Sequence, residues 1–152
     1  MHSKIIYILI IITLMSTNIG NTDDPFYRYK RPMSIIEIKS GKTKIINLPA
    51  IAQALYTKES YLLYFIQLEK STFVTSKGEI KMVIPKNEIE LLINKFIQNY
   101  ILCNVCKYPE LVIKKHNNKL YFSCNACGNV RTIDENKFTK IIYKDEKEFL
   151  II

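Results

Sequence analysis

The sequence predicts an α+β protein: a small mixed α/β domain with a helix pair, followed by a C-terminal four-cysteine zinc ribbon. Three observations lead there. Cys103-Asn104-Val105-Cys106 and Cys124-Asn125-Ala126-Cys127 hold all four cysteines as two C-x-x-C pairs, with residues 107–123 between them. That spacing lets two tight turns present four thiolates to one tetrahedral metal. Upstream, apolar residues recur at helical spacing over 58–69 and 87–100. Around them lie short runs of β-type residues broken by Gly-containing turns, the signature of hairpins.

At 152 residues the chain allows one ordinary domain, or a small domain plus a metal-stapled module. The expected organisation is a flexible leader over 1–23, the α/β domain over 24–100, the ribbon over 101–144 and a tail over 145–152. A ribbon of roughly 40 residues seldom folds without metal or disulfides. A closed four-cysteine set of Cys103, Cys106, Cys124 and Cys127 leaves no position for water or substrate, so the zinc is expected to be structural. Two disulfides or a redox pair are the alternatives. No cysteine is left over, which agrees with a reducing compartment. The net charge is +8 and the pI about 9.3. That balance favours a polyanionic partner, nucleic acid first, against the plainer explanation of a Lys-, Ile- and Asn-rich composition. The chain contains two histidines, His2 and His116, and nothing forms a Ser/His/Asp or paired-carboxylate site. A secreted enzyme is therefore the least favoured reading.

Element by element, residues 5–15 after Lys4 are apolar and resemble a signal-peptide core. They are too short to span a bilayer, which takes ~20 residues. Residues 16–25 are polar, contain Gly and Pro, and read as a disordered leader. Phe26-Tyr27-Arg28-Tyr29-Lys30-Arg31-Pro32 then interleaves aromatics with cations. Such side chains stack on bases and bind phosphates, or pack as an extended segment with solvated charges. Ser34–Lys39 and Lys44–Leu48 read as a hairpin turned at Ser40-Gly41-Lys42-Thr43. The Gly-Lys-Thr triplet is not a phosphate loop, because the preceding glycine is missing and the triplet sits in a hairpin. Pro49 fits the first turn of a helix over 50–55, and Lys58–Glu69 reads as a second helix, with Tyr61, Leu62, Phe65 and Leu68 on one face. The pair resembles a helix-turn-helix, a form more often used for plain packing.

Phe73–Ile84 reads as a hairpin around Ser76-Lys77-Gly78. Asn87 is the expected N-cap of a helix to Tyr100 with Ile89, Leu92, Ile93, Phe96, Ile97 and Tyr100 inward. That helix runs almost into Cys103 as a post for the ribbon. Leu111–Lys115 and Leu120–Ser123 read as strands turned at His116-Asn117-Asn118, with His116 a turn residue and not a ligand. Val130–Ile133 and Phe138–Tyr143 are expected to complete the sheet. The apolar end, Phe149–Ile152, is expected to dock weakly or fray.

With these residues laid out, a family resemblance follows. Asp24-Pro25-Phe26-Tyr27-Arg28-Tyr29-Lys30-Arg31-Pro32 resembles the opening of eukaryotic translation initiation factor 5. Thr43–Leu48 and Ile51–Leu55 resemble the domain shared by that factor and the beta subunit of initiation factor 2. Phe96–Cys103 and Cys124–Gly128 resemble the family's ribbon. The Phe-Tyr-Arg-Tyr-Lys opening and the stretch from Ile133 to Lys144 favour factor 5. The resemblance also suggests that translation begins at Met15, with residues 1–14 an upstream extension.

The resemblance implies a GTPase-activating protein, not itself an enzyme, acting in the cytoplasm on the G protein of initiation factor 2 during start-codon selection. Its implied partners are the gamma and beta subunits of initiation factor 2 and the small ribosomal subunit, with initiator tRNA and mRNA nearby. Arg28 matches the family's arginine, which acts in trans on the partner's nucleotide, and Lys42 matches a supporting basic residue. The first hairpin is cut to Lys39-Ser40-Gly41-Lys42-Thr43 where the family carries a longer Gly- and Arg-rich loop, so direct tRNA contact is not expected. A further family lysine falls near Tyr64. The family's C-terminal helical-repeat domain has no counterpart in these residues. The alternatives are the beta subunit itself, which binds without stimulating hydrolysis, and a transcription-type zinc ribbon.

Overall fold

The computed structural model describes residues 3–7, which are helical, and residues 15–146. Most of the signal-like segment and the apolar end lie outside the described residues. Among the described residues, no helix is long and apolar enough to cross a membrane.

The chain after Met15 opens as a paired strand, which corrects the expected flexible leader. Strand β1 (Ser16–Asn18) runs antiparallel to β2 (Lys30–Pro32), with Thr17 opposite Arg31. The ladder extends through Met33 N–H to Met15 O at 2.7 Å and Ile19 N–H to Tyr29 O at 2.9 Å. Ile19 is buried in the main core. Polarity is a poor guide here, because Asn18 and Asp24 spend their side chains inside the loop. Asn18 donates to Thr22 O and Asp24 O, and Asp24 Oδ1 accepts from Phe26 N–H at 2.9 Å. Gly20 is needed for close approach, since a Cβ there would lie 2.5 Å from the Tyr27 hydroxyl.

The next hairpin is tighter than expected. Strands β3 (Ile36–Lys39) and β4 (Lys42–Ile45) are joined by Ser40-Gly41 alone. Both turn residues have positive φ, 53° and 72°, the signature of a two-residue type I′ turn. Lys42 and Thr43 therefore belong to the strand. Thr43 is fully buried: its hydroxyl donates to Met82 O at 2.6 Å and accepts from Ile84 N–H at 2.9 Å. The threonine of the Gly-Lys-Thr triplet is a packing lock. The expected hairpin at 73–84 is short: Val74 bridges Ile80, flanked by hydrogen bonds from Lys81 N–H to Phe73 O and from Thr75 N–H to Glu79 O, and Ile80 bridges Thr43 of β4 on its other side.

Helix α1 (Leu48–Ala54) carries Pro49 in its first turn, where the missing N–H costs nothing. Helix α2 (Glu59–Lys70) buries Tyr61, Leu62, Phe65 and Ile66. Helix α3 (Lys86–Tyr100) buries the six apolar residues its periodicity predicts. Its N-cap is Pro85 with no side-chain cap, so Asn87 does not have that role. Ile101 and Leu102 continue the buried face straight into Cys103.

The ribbon is a three-stranded antiparallel sheet of β5 (Leu111–His116), β6 (Lys119–Cys124) and β7 (Val130–Thr132). Asn117 and Asn118 make its first turn at positive φ, and His116 closes β5 opposite Lys119. Residues 138–143 do not form the expected last strand. They lie in helix α4 (Lys137–Asp145). Asn136 and Thr139 form a reciprocal capping box, and Phe138 and Ile142 then fall on one buried face. Phe138 joins rings from the upstream helices: 4.7 Å from Tyr100, 5.8 Å from Phe65 and 6.0 Å from Phe96. Lys58, which caps α2, and Tyr61 within it hold Asp145 at 2.6 and 2.7 Å. One apolar core thus runs from Ile45 and Ile51 to Phe122 and Ile142, and α4 ties the ribbon to the domain before it. Truncating Phe138 to Ala is expected to cost about 3–5 kcal/mol.

Candidate metal centre and arginine loop

The two knuckles are built alike. In the first, Lys107 N–H bonds Cys103 O at 3.0 Å and Cys103 N–H bonds Tyr108 O at 2.9 Å. In the second, Gly128 N–H bonds Cys124 O and Cys124 N–H bonds Asn129 O, both at 2.9 Å. Each turn needs a left-handed residue, supplied by Gly128 (φ 75°) in one and Lys107 (φ 66°) in the other. The four sulfurs lie within 4.8 Å of one another. Cys103 Sγ is 3.7 Å from Cys127 Sγ, and Cys106 Sγ is 3.6 Å from Cys124 Sγ. These are far beyond a disulfide bond. They match the edge of a tetrahedron of thiolates at zinc, about 3.8 Å for bonds near 2.3 Å. The predicted cysteines therefore converge on one site able to hold a metal ion, with Cys103 and Cys124 buried and Cys127 exposed.

Burial raises the Cys103 thiol, but backbone N–H groups around the knuckle outweigh it, and the group titrates at about 7. A backbone N–H at Tyr108 favours the Cys106 thiolate, yet burial and its three cysteine neighbours push the thiol up to about 12. Crowded sulfurs cannot all ionise alone; a bound divalent metal would hold all four as thiolates.

Arg28 lies on the loop joining β1 to β2, exposed to solvent. Its guanidinium carbon sits 5.7 Å from the centre of the Tyr29 ring. No ion pair involving Arg28 is found among the described residues. Tyr29 in turn reaches the ribbon: its hydroxyl donates to Glu110 Oε1 at 2.8 Å, and its ring lies 6.0 Å from that of Tyr108. The Glu110 carboxylate raises the Tyr29 phenol by holding its proton. Arg31, in the same aromatic and basic stretch, has the opposite fate. It is 1% exposed and bonds Glu90 at 2.9 Å and Asn94 at 3.1 Å on α3. Glu90 also accepts from Ser34 N–H at 3.4 Å.

Lys42 opens β4, half-exposed, 3.7 Å from Glu79. It shares a shallow pocket with Glu37, Lys39, Ser40 and Lys44. No hydrogen bond, ion pair or ring contact joins Lys42 to Arg28 among the described residues. Tyr108 and Glu110 are the site residues that the sequence does not reveal, because no periodicity or motif marks a contact made across 81 positions.

Comparison with known proteins fits this arrangement. A family model, described as the domain found in initiation factors 2B and 5, matches residues 20–130. Eukaryotic translation initiation factor 5 of Dictyostelium discoideum is 36% identical over 137 residues, 82% of this chain and 34% of that protein. The factor 5 of Phaseolus vulgaris is 30% identical over 148 residues, 90% of this chain and 33% of that protein. The initiation factor 2 subunit beta of Triticum aestivum is 25% identical over 108 residues, 68% of this chain and 40% of that protein. The chain thus spans about a third to two fifths of the length of these relatives.

Proposed function

The chain belongs to the domain family of initiation factors 2B and 5, and from that premise we propose that it is a translation initiation factor of the factor 5 type, activating the GTPase of initiation factor 2 in trans. One observation carries the reading: Arg28 projects into solvent from a braced loop, while Arg31 beside it is consumed by the fold. A guanidinium supplied to a partner's nucleotide must be uncommitted at rest and held where it can enter. There it neutralises charge on the transferring phosphoryl group, worth about 10³–10⁵ in rate in GTPases that receive such an arginine. Lys42 adds positive charge from the second hairpin. The chain is then an activator and not an enzyme. The partners are the gamma and beta subunits of initiation factor 2 on the small ribosomal subunit, with initiator tRNA and mRNA close by, in the cytoplasm.

The metal in this proposal is zinc. Cys103, Cys106, Cys124 and Cys127 would hold it, and it closes the ribbon without taking part in hydrolysis. The basic ribbon surface is available for RNA, in keeping with the net charge.

The beta-subunit reading rests on the 25% identity to that protein. Factor 5 relatives match more of the chain at higher identity. Adding the purified chain to a GTP-loaded ternary complex on small subunits separates the two. Accelerated phosphate release supports the activator; tight binding with an unchanged rate supports the beta subunit.

A further inference from the structure

We propose that Tyr29, Tyr108 and Glu110 form a tether that holds the Arg28 loop on the two cysteine knuckles, so that the ribbon sets where the arginine points. The inference rests on the activator reading above. Arg28 is adjacent to Tyr29, and the Tyr29 ring is fixed at several points. Its hydroxyl donates to Glu110 at 2.8 Å, its ring centre lies 6.0 Å from that of Tyr108 and 5.7 Å from that of Tyr27 in tilted pairs, and Arg28 lies over the ring at 5.7 Å. Its carbonyl accepts from Ile19, which is buried in the core.

The far end is fixed too. Tyr108 O accepts from Cys103 N–H, and Glu110 O accepts from Asn125 N–H inside the second C-x-x-C, both at 2.9 Å. Glu110 therefore touches the second knuckle through its backbone and the arginine loop through its side chain. A long, flexible guanidinium loses less freedom on entering a partner's site if its neighbour is already anchored. A disordered leader would not have this advantage. Tyr29, Tyr108 and Glu110 are positioning residues, and none is assigned contact with nucleotide.

The test compares wild type with Tyr29→Phe, Glu110→Ala, Glu110→Gln and the double variant Tyr29→Phe/Glu110→Ala. Bound metal, thermal midpoint, the NMR order of the Arg28 backbone amide, and the concentration dependence of stimulated phosphate release are measured for each. The tether predicts that Tyr29→Phe and Glu110→Ala each loosen the Arg28 amide. Each should lower the maximal stimulated rate by about 3- to 10-fold, as for loss of one hydrogen bond, with half-saturation and bound metal unchanged. The double variant should be no worse than either single one, and Glu110→Gln, which keeps an acceptor, should recover most of the rate.

Unchanged order at Arg28 overturns the proposal. So do additive losses, or variants that stimulate as well as wild type. If wild type itself does not stimulate hydrolysis, the activator reading fails. The Arg28 amide then decides the tether alone: loosening supports it and unchanged order rejects it.

Discussion

Arg31 is 1% exposed, with its guanidinium bound to Glu90 and Asn94 of α3, whereas Arg28 is exposed and, among the described residues, rests on the Tyr29 ring with no ion pair. Both belong to one run of alternating aromatics and cations. The difference comes from the elements beneath them. Arg31 sits in β2, in register with Thr17, over the helix that carries a carboxylate and an amide one turn apart. Arg28 sits where that ladder has ended, over a loop that leans on the ribbon. Charge pattern alone therefore does not identify a functional arginine. A buried cation whose terminal nitrogens are already bonded to a carboxylate and an amide inside the protein is not offered to another molecule.

The comparison can be broken from either side. Metal removal should have the largest effect, because binding of a structural zinc is worth about 10–16 kcal/mol in zinc-finger peptides. Chelation, or Cys124→Ser, is expected to abolish metal binding and strip amide protection from β5–β7 before α2 and α3 lose theirs. Hydrogen exchange resolves the order. Simultaneous loss in all elements would mean that the braces of Arg28 and Arg31 are one unit.

Arg31→Ala comes next. It leaves the largely buried Glu90 carboxylate without its cation, so unfolding free energy should fall by about 3–5 kcal/mol, read as a lower denaturation midpoint. Arg28→Ala should stay within about 0.5 kcal/mol of wild type in the same assay, as surface substitutions do. A small effect of opposite sign concerns the knuckle under Tyr108. Lys107→Gly relieves a left-handed lysine at the position where the second knuckle uses Gly128. It should raise stability by up to about 1 kcal/mol, with metal stoichiometry unchanged.

Local signals are legible in the sequence. The C-x-x-C pairs, the Pro49 start of α1 and the apolar faces of α2 and α3 depend on residues a few positions apart, and the fold keeps them. Helix α4 reads as a strand because Phe138-Thr139-Lys140-Ile141-Ile142-Tyr143 is rich in β-branched and aromatic residues. The cap at Asn136, with Phe138 and Ile142 four apart, is the better guide. The leader reads as disordered because its polar residues look solvated, when Asn18 and Asp24 are bonded within their own loop. The separation of Arg28 from Arg31 has no local signal at all. It is decided by Glu90, Asn94, Tyr108 and Glu110, which meet these strands only after folding.

The central claim is that the chemistry resides at Arg28 and the cysteines serve it as structure. Stimulated phosphate release from a GTP-loaded initiation complex should be compared for wild type and Arg28→Ala, with bound metal and thermal midpoint measured on the same samples. The account predicts a loss of about 10³-fold or more in the stimulated rate, with metal content and midpoint unchanged. Equal stimulation by the two proteins would contradict it.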